Sequence, residues 1–293
     1  MAAADSPTPN GAPSRSTRSG PGGYAAGDGP RPTPTATAPL LELRGISKTF
    51  GPVRALTKVD LQVFPAQVTA LVGDNGAGKS SLIKTIAGLW EPNEGEILWE
   101  GHPVRLHGPK DAEQLGITTI YQDLALCDNL DIVQNMFLGH ERRRHAFLDE
   151  ESMEEAARKT LADLSVVTVK SIRQPVASLS GGQRQSVAVA KAVMSKAKLV
   201  IMDEPTAALG VAQTTMVLDL IRRLSSQGVA VLVISHNLND VFSVADRIAV
   251  LYLGRLAVSG PVANFDRQNV VEYMTTGAST RQVATAGRGT KGV

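Results

Sequence analysis

The stretch that most constrains this chain is Gly73 to Ser80, GDNGAGKS, set between the apolar QVTALV and the helical pattern SLIKTIAG. A strand that runs through a glycine-rich turn directly into a helix presents a row of unpaired backbone amides, and the helix dipole points at the same spot. Such a loop is built for an anion. A tight turn alone explains the glycines but not Lys79 or Ser80, the residue types needed to neutralise phosphate oxygens and to offer a hydroxyl to Mg²⁺. A chance match to this spacing is on the order of 1 in 100 for a chain of this length, judged from average residue frequencies. The backbone from Gly73 through Asp74, Asn75, Gly76, Ala77 and Gly78 is therefore expected to wrap a nucleotide β-phosphate. Lys79 would reach the β- and γ-oxygens, with Ser80 on the metal and Ser81 beside it.

The rest of the chain has the texture of an α/β domain. At 293 residues, 43% hydrophobic and 20% charged, it is long enough to bury a full core. LLELRGIS and VRALTKVDLQVF alternate like antiparallel strands, QVTALVG reads as a buried strand, and GEILWEG as a further one. After ITTIYQD (117 to 123) about seventy residues carry almost no strand signal. These form a helical insertion of about 124–190, within which Met153, Ala157, Leu161 and Leu164 share one stripe. KLVIMDEP, VAVLVISH and RIAVLYLG then alternate with helical segments, which implies a mostly parallel sheet covered on both faces.

Residues 1–39 hold 8 of the 16 prolines and read as a disordered tail, the domain runs 40–276, and 277–293 reads as a flexible end. The formal charge of +2 belongs to those ends, which carry +1 and +3 and leave −2 on residues 40–276. A near-neutral domain argues against a nucleic-acid groove. Cys127 is the single cysteine, so an internal disulfide is excluded. The longest apolar runs, VAVLVI and IAVLYL, are far short of the ~20 residues that span a bilayer. The N-terminus lacks an apolar secretory segment, and a cytosolic location is expected.

Several other residues suit a phosphate site. Asp203 ends the apolar run LVIM, at the carboxyl edge where α/β sheets bind ligands, and is the expected metal carboxylate. Glu204 follows it. Because successive strand side chains point opposite ways, the two acids are not expected to serve one ligand identically, and Glu204 is assigned as the base for an attacking water. His236, after VLVIS, is placed to sense the γ-phosphate. Gln122, at the end of ITTIYQ, is placed to touch Mg²⁺ or the water and to report to the helical insertion. Phe50 either stacks on a nucleobase, worth about 1–3 kcal/mol, or packs in the core.

LSGGQ (179 to 183) opens the helical GGQRQSVAVAKAVM. Ser180 and Gln183 have capping-box spacing, but capping needs neither Gly181 nor Gly182, each of which costs up to about 1 kcal/mol in a helix. Exposed backbone at a helix start again suits an anion.

In order and spacing, Phe50, GDNGAGKS, Gln122, LSGGQ, LVIMDE and His236 resemble the A-loop, Walker A, Q-loop, signature, Walker B and switch histidine of the ATP-binding cassette (ABC) family, over residues 40 to 276. The resemblance implies ATP and Mg²⁺ as ligands, and a homodimer of cassettes in which Ser180, Gly181, Gly182 and Gln183 of one copy complete the ATP site of the other. Hydrolysis would then open the pair. More narrowly, ITTIYQDLALCDNLDIVQNMFLG and DEPTAALGVAQT look like the ribose, xylose and fructose importers. That likeness implies transmembrane permease subunits, an external sugar-binding protein and a place on the cytoplasmic face of the membrane. Two departures stand out: there is one set of motifs where many of that branch carry two, and Gly210 replaces the usual D-loop aspartate.

Overall fold

The structure is a computed structural model and describes residues 38–164, 166 and 171–279. The expected tails lie outside these residues, apart from 38–39 and 277–279.

The chain opens with β1 (Leu41–Phe50) and β2 (Val53–Val63), an antiparallel pair turned at Gly51 and Pro52, and then enters β3 (Val68–Val72). All five residues of β3 are buried. It gives way through the glycine loop to α1 (Lys79–Ile86), and β4 (Glu94–Trp99) and β5 (His102–Val104) complete a four-stranded sheet in the order β2-β1-β4-β5. One short helix escapes hydrophobic periodicity, α2 (Pro109–Leu115). Its signal was punctuation, with Pro109 in the first turn and Gly116 as a left-handed C-cap at φ 88°.

After β6 (Ile117–Ile120) come α3 (Ile132–Phe137), a small hairpin of β7 (Arg143–Arg144) and β8 (Phe147–Leu148), α4 (Glu150–Asp163) and α5 (Gly181–Met194). The insertion is thus helical but not wholly so. Strand content hides there because two-residue strands leave no alternation to detect. The stripe of Met153, Ala157, Leu161 and Leu164 is buried, as its spacing predicts.

The chain then alternates through β9 (Leu199–Asp203), α6 (Val211–Ser226), β10 (Ala230–Ile234), α7 (Leu238–Val244), β11 (Arg247–Tyr252), β12 (Arg255–Pro261) and α8 (Arg267–Thr276). The central sheet has the order β12-β11-β3-β10-β9-β6, parallel except for β12. Side-chain alternation sends its apolar residues both ways. Leu199, Ile201, Leu232 and Ile234 pack toward α1 and the antiparallel sheet, while Val200, Met202, Val231 and Val233 pack against the helices of the insertion and α6. Both faces are packed with buried apolar side chains, which hold the carboxyl edge of the sheet in place. Among the described residues, no helix is long and apolar enough to cross a membrane.

Candidate active site

Strand order determines the site. Along the neighbours β3, β10, β9 and β6, the carboxyl ends lead in turn into the Gly73–Ser80 loop, His236, Asp203 with Glu204, and Gln122. Residues far apart in sequence therefore meet at one edge of the sheet.

The loop conformation requires glycine at two positions. At Gly78 φ is 101°, and an added Cβ would sit 2.8 Å from the carbonyl oxygen of Ala55. At Gly73 the Cβ would sit 2.3 Å from the carbonyl oxygen of Leu251. The loop is thus pressed against β2 and β11 and cannot carry side chains there. Lys79 folds back over it, its Nζ donating to the carbonyls of Gly73 (2.7 Å) and Asp74 (3.0 Å). Burial lowers the Lys79 pKa, opposed by the negative charges of Glu204, Asp203 and Asp74.

A cleft of about 520 Å³ opens beside the loop, walled by Lys79, Ser80, Ser81, Gln122, Asp203 and Glu204 among others. Asn75, Gly76 and Gly78 also wall it, whereas Gly73 and Ala77 are buried and Asp74 is exposed, and these three are not among its wall residues. Gln122 stands two residues beyond β6 rather than in it, because the strand stops pairing at Ile120.

The two acids are arranged differently from the strand alternation expected of them. Asp203 is the last residue of β9, but Glu204 has left the strand, with φ 49°. That left-handed turn redirects its side chain, and both carboxylates wall the same cleft. A non-glycine residue in this conformation costs about 1–3 kcal/mol, a cost typical of functional positions. The turn is held by the Glu204 amide donating to the Ile234 carbonyl (2.9 Å) and by His236 Nδ1, 2.8 Å from Glu204 Oε1. Burial raises the Asp203 pKa, and the like charge of Glu204 adds to it. His236 does not itself wall the cleft and is reached through Glu204.

Residues that sequence reasoning missed also wall the cleft: Val53, Arg54 and Ala55 from β2, and Leu253 and Gly254 from the β11–β12 turn. Only tertiary packing brings these segments to the loop, so no local motif marks them. Phe50 is not a wall residue. It stands opposite Val53 in the β1–β2 pairing, 38% exposed, with its ring 4.5 Å from that of Trp90.

The LSGGQ segment lies apart from this cleft in the same chain. Ser180 caps α5, and both bonds of the capping box with Gln183 form. The glycines prove to have a packing role as well. Gly182 is buried, and a Cβ there would lie 3.2 Å from that of Gln213, while one at Gly181 would lie 2.8 Å from Leu209 Cδ2. Of the two, only Gly181 is exposed, so the expectation of a doubly open backbone holds for one glycine alone. Gln213 in turn accepts from the Gly210 amide (3.1 Å), a cap within the start of α6 itself, while its Cβ packs beside Gly182 at the start of α5.

The profile of the ABC transporter family matches residues 56–207, from β2 through the loop, the LSGGQ helix and Glu204. The chain belongs to the ABC transporter family. The cassette is 47% identical over 248 residues to the fructose import ATP-binding protein FrcA of Rhizobium meliloti, covering 82% of this chain and 95% of that protein. It is 45% identical over 236 residues to the xylose/arabinose import ATP-binding protein XylG of Sulfolobus acidocaldarius, covering 80% and 94%. Against the ribose import ATP-binding protein RbsA 1 of Agrobacterium fabrum it is 40% identical over 258 residues and spans half of that protein's length. Among solved structures, the cassette resembles a nucleotide-free ATP-binding cassette from an ABC transporter (TM-score 0.69, 26% identity, 80% of this chain and 98% of that one). It also resembles an ATP-binding cassette in its ADP conformation (TM-score 0.71, 25% identity, 82% and 96%). The fold expected from sequence, an α/β cassette core with an antiparallel β subdomain and a helical insertion, is the one observed.

Proposed function

We propose that this cassette is the ATP-hydrolysing subunit of a monosaccharide importer, working as a homodimer beneath transmembrane permease subunits that receive sugar from an external binding protein. The observation that carries the ATPase reading is the convergence of Lys79, Gln122, Asp203 and Glu204 on one cleft, with His236 bonded to Glu204. The sugar reading rests on the single-cassette relatives named for fructose and for xylose/arabinose import, which align over more than nine-tenths of their length.

In this reading Lys79 exchanges its two neutral carbonyl acceptors for phosphate oxygens, gaining charge-assisted bonds in a half-buried setting. The loop amides and the start of α1 hold the β-phosphate. Among the described residues, no group of three or more His, Cys, Asp or Glu side chains could hold a metal alone. That fits Mg²⁺, which typically takes one or two protein oxygens and completes its shell with phosphate and water. Ser80, Asp203 and Gln122 would hold it, and when bound it neutralises charge on the β- and γ-oxygens. Glu204 accepts the proton of the attacking water, with its carboxylate fixed by His236. Because LSGGQ does not wall its own chain's cleft, it is free to face the γ-phosphate of a second copy, so that ATP bridges the pair and hydrolysis releases it.

The test is copurification with the permease and reconstitution in membranes. ATPase activity should rise when sugar-loaded binding protein is supplied. Indifference to every sugar, with stimulation by another solute, would reassign the substrate while leaving the ATPase in place.

A further inference from the structure

We propose that Trp90 is a positioning residue for nucleobase binding, a clamp that sets the ring of Phe50 at the rim of the cleft. The inference rests on the reading that Phe50 stacks on the base.

Phe50 ends β1, beside a two-residue turn at the tip of a long hairpin. Its cross-strand partner Val53 walls the cleft, so the end of β1 that carries Phe50 lies one strand pairing from that wall. A tip of this kind is ordinarily the most mobile part of a hairpin. Here it is held. The Trp90 ring meets Phe50 in a T-shaped contact, with centroids 4.5 Å apart at 67°, and Trp90 is itself covered by Lys84 Nζ at 4.7 Å from its centroid. Three hydrogen bonds staple the Trp90 loop to the end of β1. The Thr49 amide donates to Asn93 Oδ1 (2.8 Å), the Asn93 amide to the Ser47 carbonyl (2.8 Å), and Lys48 Nζ to the Glu91 carbonyl (2.6 Å).

The same loop is anchored to α1, since the Leu89 amide donates to the Lys84 carbonyl at 2.9 Å. Lys79 is the first residue of that helix. The aromatic that reads the base and the lysine that reads the phosphate are therefore carried by one connected unit, in which the spacing between them is fixed before ligand arrives. Preorganisation of this kind raises affinity by sparing ordering entropy at binding.

The experiment measures equilibrium binding of ATP and of inorganic tripolyphosphate, which has no base, to the full chain and to Phe50→Ala, Trp90→Ala, Trp90→Leu and Trp90→Phe. Trp90→Leu keeps apolar bulk at a half-buried position should the alanine variant fold poorly. Phe50→Ala should weaken ATP about tenfold and leave tripolyphosphate alone. Trp90→Ala and Trp90→Leu should do the same by about threefold to tenfold, the range an aromatic edge contact supports, and Trp90→Phe should restore most of the loss. Equal weakening of both ligands would overturn the proposal by showing that Trp90 acts through α1 and the phosphate loop. If Phe50→Ala weakens ATP but no Trp90 variant does, the clamp is refuted and base stacking stands. If Phe50→Ala is itself without effect, base stacking fails and the clamp with it.

Discussion

His236 Nδ1 stands 2.8 Å from Glu204 Oε1, a side-chain bridge between the ends of two neighbouring parallel strands. The bridge closes over a left-handed residue, since Glu204 leaves β9 at φ 49°. A carboxylate so held points into the cleft in a fixed direction, which is what a base for water requires.

Glu204→Gln should therefore bind ATP with near-normal affinity and lose turnover by about 100-fold or more, the usual scale of a positioned general base. His236→Ala should also keep binding and lose turnover, since the carboxylate then rotates freely. Single-turnover hydrolysis beside equilibrium ATP binding checks both. Normal turnover in Glu204→Gln would remove it from the role.

Gly78→Ala places a Cβ 2.8 Å from the Ala55 carbonyl at φ 101°. Backbone cannot yield as a flexible side chain does, so the substitution should cost at least about 1–3 kcal/mol. At about 2–4 °C per kcal/mol for a domain of this size, thermal unfolding should shift down by several degrees, with ATP affinity lost as the loop distorts. Gly76→Ala is the control, because nothing lies within 4 Å of its Cβ and only its own φ of 83° is strained.

How much of this was legible depended on the range of each interaction. The Gly73–Ser80 loop could be read because strand, turn and helix are contiguous, and Asp203 because an apolar run delivers it to a strand end. Glu204 stands at the same edge, next to Asp203, yet its backbone reversal was invisible, since no sequence rule turns glutamate left-handed. The walls supplied by Val53 and Arg54 come from the start of β2, and that of Leu253 from the β11–β12 turn, and none has a local signature. Open backbone is what the sequence suggests at Gly182, whereas the residue is buried and an added Cβ would sit tightly, 3.2 Å from that of Gln213, thirty-one residues on.

Asp203 predicts a pH signature. Burial, then the charge of Glu204, raises its pKa, so the folded state holds this proton more tightly than the unfolded chain does. The stability it contributes is full below the ordinary aspartate value of about 3.9 and is lost as pH rises through the raised folded value. At neutral pH the ionised carboxylate is then a net cost to the nucleotide-free protein. Asp203→Asn should accordingly melt higher than the parent at pH 7, with the gap closing as pH falls into the ordinary aspartate range. Added Mg²⁺ and ATP should reverse the order, because only the parent gains the metal-linked stabilisation. A gap that does not change with pH would show that the substitution acts through packing instead.

The shared-site reading is tested at Ser180. Its side chain is exposed, and its cap to the Gln183 amide is long at 3.4 Å, so Ser180→Arg should cost the fold no more than about 1 kcal/mol. Nothing from this residue walls its own chain's cleft, and ATP binding to the separate chain should be unchanged. Across a dimer the same arginine would crowd the γ-phosphate of the other copy and misplace it, so turnover should fall to background. Mixing decides between this and a simple folding defect. Ser180→Arg chains added in excess to Glu204→Gln chains form mixed dimers with one composite site that carries both lesions and one that carries neither, so activity should partly recover. If Ser180→Arg alone hydrolyses ATP at the parent rate, the start of the LSGGQ helix takes no part in the reaction centre.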